Sequence, residues 1–219
     1  MKIGIIGTGN IGGALTHRLT KLGHEVSIAN SRGPETLQDL AAETGAIPCT
    51  VHDVVRGAQI VVVTIPEKNI PNLPIDLFAK VPRDTAVIDT GNYYPKQRDG
   101  KIAEIENGLP ESRWVEKRLK RPVVKVFNNI YAKHLLERGL PAGTSGRIAL
   151  PVAGDDASLK DKVMQLVDEL GFDAVDAGGL DESWRQQPGT PCYGADFDTN
   201  GLREALKAAS SNRTADWRA

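Results

Sequence analysis

The sequence begins with a glycine pattern that few folds accommodate. The segment Gly-Thr-Gly-Asn-Ile-Gly at residues 7–12 directly follows an apolar run at residues 2–6, and apolar residues then recur at helical spacing over residues 11–22. A strand, a glycine-rich turn and a helix in this order predict a loop that binds a pyrophosphate. The predicted loop residues are Gly7, Thr8, Gly9, Asn10, Ile11 and Gly12. A glycine turn without a ligand is the alternative.

The rest of the chain alternates short apolar runs with longer helical patterns. Several runs are continuously apolar, as strands covered on both faces must be. The predicted strands are residues 2–6, 25–29, 60–64, 86–89, 123–127, 147–152 and 172–175, and the predicted helices are residues 11–22, 35–43 and 158–170. This alternation predicts an α/β fold of the Rossmann type, with a doubly wound, mainly parallel sheet and helices on both faces.

The domain organisation follows from the same pattern. We predict one compact unit, in which residues 1–180 form the dinucleotide-binding domain and the part after residue 127 extends the sheet. Residues 181–209 form a short helical C-terminal extension, and the polar residues 210–219 form a disordered tail. The segment 94–111 is rich in charged and turn residues, so we expect it to loop over the surface.

The composition narrows the partners and the compartment. A formal net charge of −1 over 219 residues does not suggest nucleic acid or an anionic membrane as a partner. No apolar run approaches the roughly 18–20 residues that cross a bilayer, and the first residues have the pattern of a strand rather than of a signal peptide. Two cysteines far apart in sequence, Cys49 and Cys192, favour a reducing compartment over secretion. We therefore expect a cytoplasmic protein without nucleic-acid or membrane partners.

The end of the second predicted strand indicates which dinucleotide is bound. Sites for NAD usually carry Asp or Glu about 20 residues after the loop, where it holds the ribose 2′-hydroxyl. Here the strand runs into Asn30, Ser31 and Arg32, so no carboxylate is present to repel a 2′-phosphate. Asn30 and Ser31 offer neutral hydrogen bonds, and Arg32 offers a guanidinium suited to phosphate. The sequence therefore predicts NADP(H), although Arg32 also has an interpretation as a solvated loop arginine.

Three further turns follow later strands, where a doubly wound sheet places its ligands. The candidate binding residues in these turns are Thr64, Ile65, Pro66, Gly91, Asn92 and Asn128. Asn and Gly are favoured in turns whatever the function, so each turn also has a purely structural interpretation. Because all three turns fall at one edge of the sheet, we expect a shared site, while the roles of Tyr93 and Tyr94 stay open.

The sequence contains no recognisable catalytic or metal-binding motif. The four histidines are scattered without metal-ligand spacing, so we predict no metal site. His134 is a conceivable acid, but a surface histidine is the simpler interpretation. The unusual segment 181–191 contains Trp184, which suits a planar ring, and Arg185, which suits an anionic group. A subunit interface explains the same residues equally well.

The order of these motifs resembles the F420-dependent NADP oxidoreductase family. The resemblance rests on the glycine loop, the Asn-Ser-Arg turn, Val-Thr-Ile-Pro at residues 63–66, Lys-Val-Phe-Asn at residues 125–128 and Val-Ala-Gly-Asp-Asp at residues 152–156, and it covers about residues 1–180. It implies a Rossmann fold with a small C-terminal region, often forming a dimer. By this resemblance Thr8, Ser31 and Arg32 hold the 2′-phosphate end, Asn10 and Ile11 lie along the pyrophosphate, and Ile65 and Pro66 lie near the nicotinamide.

The resemblance also implies an activity, in which a hydride passes between NADP(H) and a flavin, a deazaflavin such as F420, or a small organic acceptor. Transfer between two stacked rings requires alignment and exclusion of water more than a protein acid or base. An imine or β-hydroxyacid reductase is an alternative, but such enzymes usually append a long helical domain, and only about 40 residues follow Gly179. A redox sensor that binds NADP(H) without turnover is another. We expect a homodimer.

Overall fold

The structure, a computed structural model, describes residues 1–219 and places six strands in one parallel sheet. The strand order is β3-β2-β1-β4-β5-β6, which confirms the predicted Rossmann-type fold. These strands are β1 (Lys2–Ile6), β2 (Glu25–Ala29), β3 (Ile47–Pro48), β4 (Ile60–Val63), β5 (Ala86–Asp89) and β6 (Val124–Lys125). The chain reverses direction across the sheet after β3, so the carboxyl ends of β1 and β4 meet at the point where a dinucleotide binds in such folds.

Helices cover both faces of this sheet. The α-helices are α1 (Asn10–Lys21), α2 (Gln38–Thr44), α3 (Ala103–Glu106), α4 (Glu111–Leu119), α5 (Ala132–Glu137), α6 (Ala157–Glu169) and α7 (Thr199–Ala208). Strand β4 shows why its sequence is continuously apolar. Ile60 and Val62 belong to one hydrophobic core, whereas Val61 and Val63 belong to the core on the opposite face. Alternate side chains of a strand point to opposite faces, so both sets must be apolar.

The prediction that the part after residue 127 extends the sheet is wrong, because the strands of this part form a second sheet. Strands β7 (Ala149–Val152) and β8 (Asp173–Asp176) form a separate parallel pair. The two sheets are linked by an antiparallel bridge, in which Lys125 and Ala153 exchange backbone hydrogen bonds of 2.8 and 3.1 Å. The strand predicted at residues 123–127 is shorter in the structure, where β6 covers two residues, and the backbone leaves the strand conformation at Phe127, where φ is +65°.

Several predicted boundaries are corrected by the structure. Edge strand β3 has two residues, too few to produce a sequence pattern. The predicted helix at residues 35–43 begins as a 3-10 turn, Pro34–Leu37, before α2. The helix predicted at residues 11–22 ends one residue earlier, so Leu22 lies just after α1 and is exposed. Helix α6 begins one residue before its predicted start and is capped by Asp156, whose carboxylate accepts a hydrogen bond of 3.0 Å from the amide of Leu159.

Most of segment 94–111 lies at the surface, as expected, but the prediction that it is a loop is wrong. It contains a π-helical turn, Pro95–Asp99, and helix α3, and it ends in the first residue of α4. Asp99 and Glu111 are both buried. Their carboxylates accept backbone hydrogen bonds, 2.8 Å from the amide of Tyr94 to Asp99 and 3.2 Å from the amide of Tyr93 to Glu111. Polar residues in this segment are buried because the fold supplies partners for them.

The last 40 residues return to the body of the molecule. A 3-10 turn, Leu180–Gln186, packs beside α4, and α7 packs on β7 and β8. Residues 210–219, predicted as a disordered tail, lie against the domain. Arg213 donates hydrogen bonds to Glu111 and Gln187, and the ring of Trp217 lies 5.8 Å from that of Tyr94. These partners come from distant segments, so the tail's own composition does not reveal its contacts.

Two further findings concern the expected compartment. Cys49 and Cys192 are both free thiols. No helix combines the length and the apolar character that a bilayer crossing requires.

Candidate functional site

The loop between β1 and α1 is built from three glycines with different roles. Gly7 turns the chain with φ of +100°, and a Cβ there would overlap the carbonyl oxygen of Thr64. A Cβ at Gly12 would overlap the carbonyl oxygen of Gly7. These two glycines are therefore required by backbone packing. Gly9 differs, because a Cβ there would meet no atom within 4 Å. The backbone at Gly9 faces open space, as a loop that receives a phosphate must.

The first turn of α1 adjoins this open space. Gly9 is the N-terminal cap of the helix, and no side chain accepts a hydrogen bond from the first-turn amides. The first turn also lacks acidic residues. Free amides and the positive end of the helix dipole make such a terminus attractive to an anion. Asn10, Ile11 and Gly12 form this turn, so the structure places all six predicted loop residues together.

The turn after β2 is held by Asn30. Its Oδ1 accepts a hydrogen bond of 2.8 Å from the amide of Arg32, and its Nδ2 donates one of 2.9 Å to Oγ1 of Thr36. An Asn side chain that binds the backbone two residues later forms a turn of its own. Ser31 and Arg32 are exposed on this turn, and Arg32 takes part in no ion pair. Its guanidinium is therefore available to an anionic ligand.

A single cleft of about 730 Å³ connects the loop, this turn and the end of β4. Its volume lies within the range of about 300–1,000 Å³ that is usual for ligand pockets. The lining residues are Ile6, Gly7, Thr8, Gly9, Asn30, Ser31, Arg32, Gly33, Pro34, Thr50, Val51, Thr64, Ile65, Pro66, Asn69, Asn72, Leu73 and Pro74. None of them is Asp or Glu, so no lining carboxylate repels a phosphate.

The cleft shows which predicted site residues belong together. Nine of the 15 predicted binding residues line it, and the three in the first turn of α1 adjoin it. The segment from Asn69 to Pro74 also lines the cleft but was missed, because a Pro-rich 3-10 turn carries no binding motif. Thr50 and Val51 were missed for a similar reason, since they follow the very short strand β3.

The remaining three predicted binding residues lie outside this cleft. Asn92 and Asn128 bind each other and the C-terminal segment: Nδ2 of Asn92 donates to the carbonyl of Asn128 at 2.9 Å, and Nδ2 of Asn128 donates to the carbonyl of Gln186 at 2.7 Å. Nε2 of Gln186 in turn donates to Oδ1 of Asn128 at 2.9 Å. These amides join the ends of the strands to residues 180–219, which we call the C-terminal segment. The sequence alone does not reveal these contacts.

The third of these residues, Gly91, belongs to a buried charged cluster that the sequence analysis missed. Lys125 is fully buried, and its Nζ donates to Oδ2 of Asp89 at 3.1 Å and to the carbonyl of Gly91 at 2.5 Å. Asp89 also accepts hydrogen bonds from Oγ of Ser112, at 2.7 Å, and from the amide of Gly91, at 2.8 Å. The sequence did carry a signal for this pair, since Asp89 ends the apolar strand β5 and Lys125 ends the strand β6.

Two more carboxylic acids complete this buried cluster, which we define as Glu67, Asp89, Glu111 and Lys125. Burial raises the pKa of Glu111, although Arg213 and Lys125 oppose the rise. Burial, followed by the charge of Asp89, raises the pKa of Glu67 well above its usual range. No set of three or more His, Cys, Asp or Glu side chains is arranged to hold a metal ion.

The aromatic and arginine residues of the C-terminal segment largely bind one another. The guanidinium of Arg185 lies 4.4 Å from the ring centre of Trp184, and its Nε donates to Glu182 at 2.6 Å. Trp184 borders a second cavity of about 750 Å³, between residues 105–110 and the last residues of the chain. The hydroxyl of Tyr93 accepts a hydrogen bond from the amide of Ile102, so this buried ring holds the segment that was predicted to be a loop.

The sequence of this site matches a known family. Residues 2–93 match the family described as NADP oxidoreductase, coenzyme F420-dependent. The matched range contains the glycine loop, the turn after β2 and the end of β4. The predicted family resemblance is confirmed over this range. The remaining residues, which include β6 and the C-terminal segment, lie outside the match.

Individual proteins similar to this chain extend the comparison. Protein YjhV of Escherichia coli (strain K12) is 44% identical over 70 residues, which are 32% of this chain and 51% of that relative. The chain thus spans about half the length of this curated relative. A hypothetical protein of Sinorhizobium meliloti, SMa0349, has a similar crystal structure, with a TM-score of 0.75, 28% identity, and coverage of 90% of this chain and 95% of that one.

A second solved structure carries a functional name. It belongs to a protein of Arthrobacter sp. FB24 that is provisionally named an F420-dependent NADP reductase, with a TM-score of 0.67, 25% identity, and coverage of 82% of this chain and 86% of that one. Both the matched family and this similar protein are named as NADP-dependent oxidoreductases.

Proposed function

We propose that this protein is an NADP(H)-dependent oxidoreductase that exchanges a hydride between NADP(H) and a flavin, a deazaflavin such as F420, or a small organic acceptor. The observation that carries the proposal is the cleft, which has a glycine loop and a free helix N-terminus at one side and the unpaired cation of Arg32 at the other. When bound, NADPH supplies the hydride. The residues of the chain bind and orient the cofactor and shield it from water.

The residues lining the cleft divide between the two ends of such a cofactor. The loop amides and the α1 terminus suit the pyrophosphate, and Ser31 and Arg32 suit a 2′-phosphate. Ile65, Pro66 and Leu73 give the end beside β4 an apolar wall. An apolar wall suits an uncharged ring and excludes water, which is what hydride transfer requires of a protein.

The first test is a fluorescence titration with NADPH and NADH. Charge-assisted hydrogen bonds to a phosphate contribute about 1.5–3 kcal/mol, so Arg32→Ala should weaken NADPH binding about 10- to 100-fold. NADH binding should change little, because NADH lacks the 2′-phosphate. Arg56→Ala is a matched control, since Arg56 is an exposed arginine outside the cleft. Equal losses for both cofactors in Arg32→Ala would contradict the assignment.

The second test identifies the acceptor. Oxidation of NADPH is followed by absorbance in the presence of F420, FMN, FAD, quinones or a cyclic imine. Turnover with F420 or a flavin supports the proposed activity, and turnover with the imine alone supports the reductase alternative. Tight NADPH binding without turnover on any of them supports the redox sensor. A homodimer and a cytoplasmic location remain predictions, which sedimentation and cell fractionation test.

A further inference from the structure

Glu67 is the one acid of the buried cluster that has no polar partner. It directly follows Pro66, which lines the cleft, and it begins the 3-10 turn Glu67–Asn72. Its side chain is fully buried, and neither carboxyl oxygen has a hydrogen-bond partner. A buried polar group without a partner costs free energy, and a buried charge without one costs much more.

The charges around Glu67 are already balanced without it. Asp89 on β5 is paired with Lys125 on β6, and Glu111 on α4 is paired with Arg213 of the C-terminal segment. The neighbouring π-helical turn contributes Asp99, which is paired with Arg98. If Glu67 were ionised, the interior would hold one negative charge in excess, close to three other carboxylates. The surroundings of Glu67 in the protein without a ligand therefore favour its neutral, protonated form, in agreement with the direction in which burial moves its pKa.

This neutral acid lies at the edge of the sheet where the cleft ends. A Cβ at Gly91 would overlap Oε1 of Glu67, so the carboxyl is packed against the turn that follows β5. On its other side the chain passes through Pro66 and Ile65 into the cleft wall. Glu67 is thus the next residue in the chain after the apolar wall of the cleft, at the end that the proposed function gives to the nicotinamide.

We propose that Glu67 makes the choice between oxidised and reduced cofactor depend on pH. The inference rests on the proposed function. The nicotinamide ring carries a positive charge in NADP⁺ and none in NADPH. A positive ring at the apolar end of the cleft supplies the partner that the Glu67 carboxylate lacks, so NADP⁺ binding favours loss of the Glu67 proton to the solvent. NADPH supplies no such partner, and Glu67 keeps its proton beside it.

The sign of the pH effect follows from this linkage. At low pH Glu67 is neutral with either cofactor, so it does not discriminate. As the pH rises, ionised Glu67 attracts NADP⁺ only, and NADP⁺ affinity rises relative to NADPH affinity. At an effective dielectric constant of about 20, any two unit charges about 10 Å apart change each other's pKa by about one unit, which corresponds to about tenfold in relative affinity. The 2′-phosphate is the same in NADP⁺ and NADPH, so the effects of this group and of its contact with Arg32 cancel in the ratio of the two affinities.

The test measures the two dissociation constants between about pH 6 and about pH 9, a range that brackets a raised carboxyl pKa. NADPH is titrated by fluorescence, and NADP⁺ by displacement of NADPH. We expect the ratio Kd(NADP⁺)/Kd(NADPH) to fall about tenfold over this range in the wild type and to stay constant in Glu67→Gln. Glu137→Gln, an exposed control outside the cleft, should behave as the wild type. A constant ratio in the wild type, or an equal fall in Glu67→Gln, would overturn the inference.

A calorimetric measurement on the unmodified protein covers the case in which Glu67→Gln does not fold. Binding is measured near neutral pH in two buffers that differ in ionisation enthalpy. NADP⁺ should release more protons on binding than NADPH does, and equal proton release would refute the inference. Failure of the wild type to bind either cofactor would instead refute the proposed function, so the two failures are distinguishable.

Discussion

The buried pair of Lys125 and Asp89 provides the sharpest test of how this structure is stabilised. Replacing Lys125 with Met keeps the length of the side chain but removes its charge. Asp89 would then remain buried, with only the hydroxyl of Ser112 and the amide of Gly91 as partners, and the carbonyl of Gly91 would lose its donor. Removing one member of a buried ion pair typically costs about 3–5 kcal/mol.

The size of the effect is large enough to measure in two ways. For a chain of this length each kcal/mol corresponds to about 2–4 °C in Tm, so Lys125→Met should lower Tm by roughly 6–20 °C. Urea denaturation should give the same loss of unfolding free energy with an unchanged m-value. The double variant with Asp89→Asn should recover part of the loss, because no unpaired charge remains.

The control for this experiment is Lys117→Met. Lys117 is exposed on α4 and takes part in no ion pair, so its replacement should change stability by less than about 0.5 kcal/mol. A loss below about 1 kcal/mol in Lys125→Met would show that the pair does not stabilise the protein, as some buried pairs do not. A loss that persists fully in the double variant would show that the cost arises from packing rather than from the charge of Asp89.

Three further predictions follow from other contacts. Gly9→Ala should fold normally, because its Cβ meets no atom, but should lose NADPH affinity. Gly12→Ala should lower Tm, because its Cβ would overlap the carbonyl oxygen of Gly7. Thermal unfolding measures the loss of stability, and fluorescence titration measures the loss of affinity. Arg213→Ala should lower the unfolding free energy by about 3 kcal/mol in urea, because Glu111 loses its cation. The stability of the wild type relative to Glu67→Gln should fall as pH rises, measured by urea unfolding at several pH values.

The sign of the last prediction follows from linkage. The pKa of Glu67 is raised in the folded protein, so the unfolded chain gives up its proton at lower pH than the folded protein does. Its contribution is complete below the unfolded pKa and is lost as the pH rises toward the folded value. A stability difference that is independent of pH would contradict it. Equal Tm values of Gly9→Ala and Gly12→Ala would contradict the prediction for the glycine loop. An unchanged free energy of unfolding in Arg213→Ala would contradict the prediction for the pair of Glu111 and Arg213.

Local sequence indicates those parts of the candidate site that are built from consecutive residues. The glycine loop and Arg32 could be assigned because a tight turn, a close approach and a missing carboxylate are local properties. Asn128 could not be interpreted in this way. Its partners, Asn92 and Gln186, are separated from it by 36 and 58 residues, and only the folded chain brings them together.

The sequence by itself determined the Rossmann-type parallel sheet, most of its strands and the glycine loop on one side of the cleft, because alternating strands and helices leave few ways to bury their apolar faces. Only the tertiary structure decided the fate of the polar segments. Residues 94–111 and the last ten residues have the composition of exposed chain, yet they carry Glu111 and Arg213 into contact in the interior. Whether a charge is buried depends on the partner that meets it there, and a partner distant in sequence leaves no local pattern.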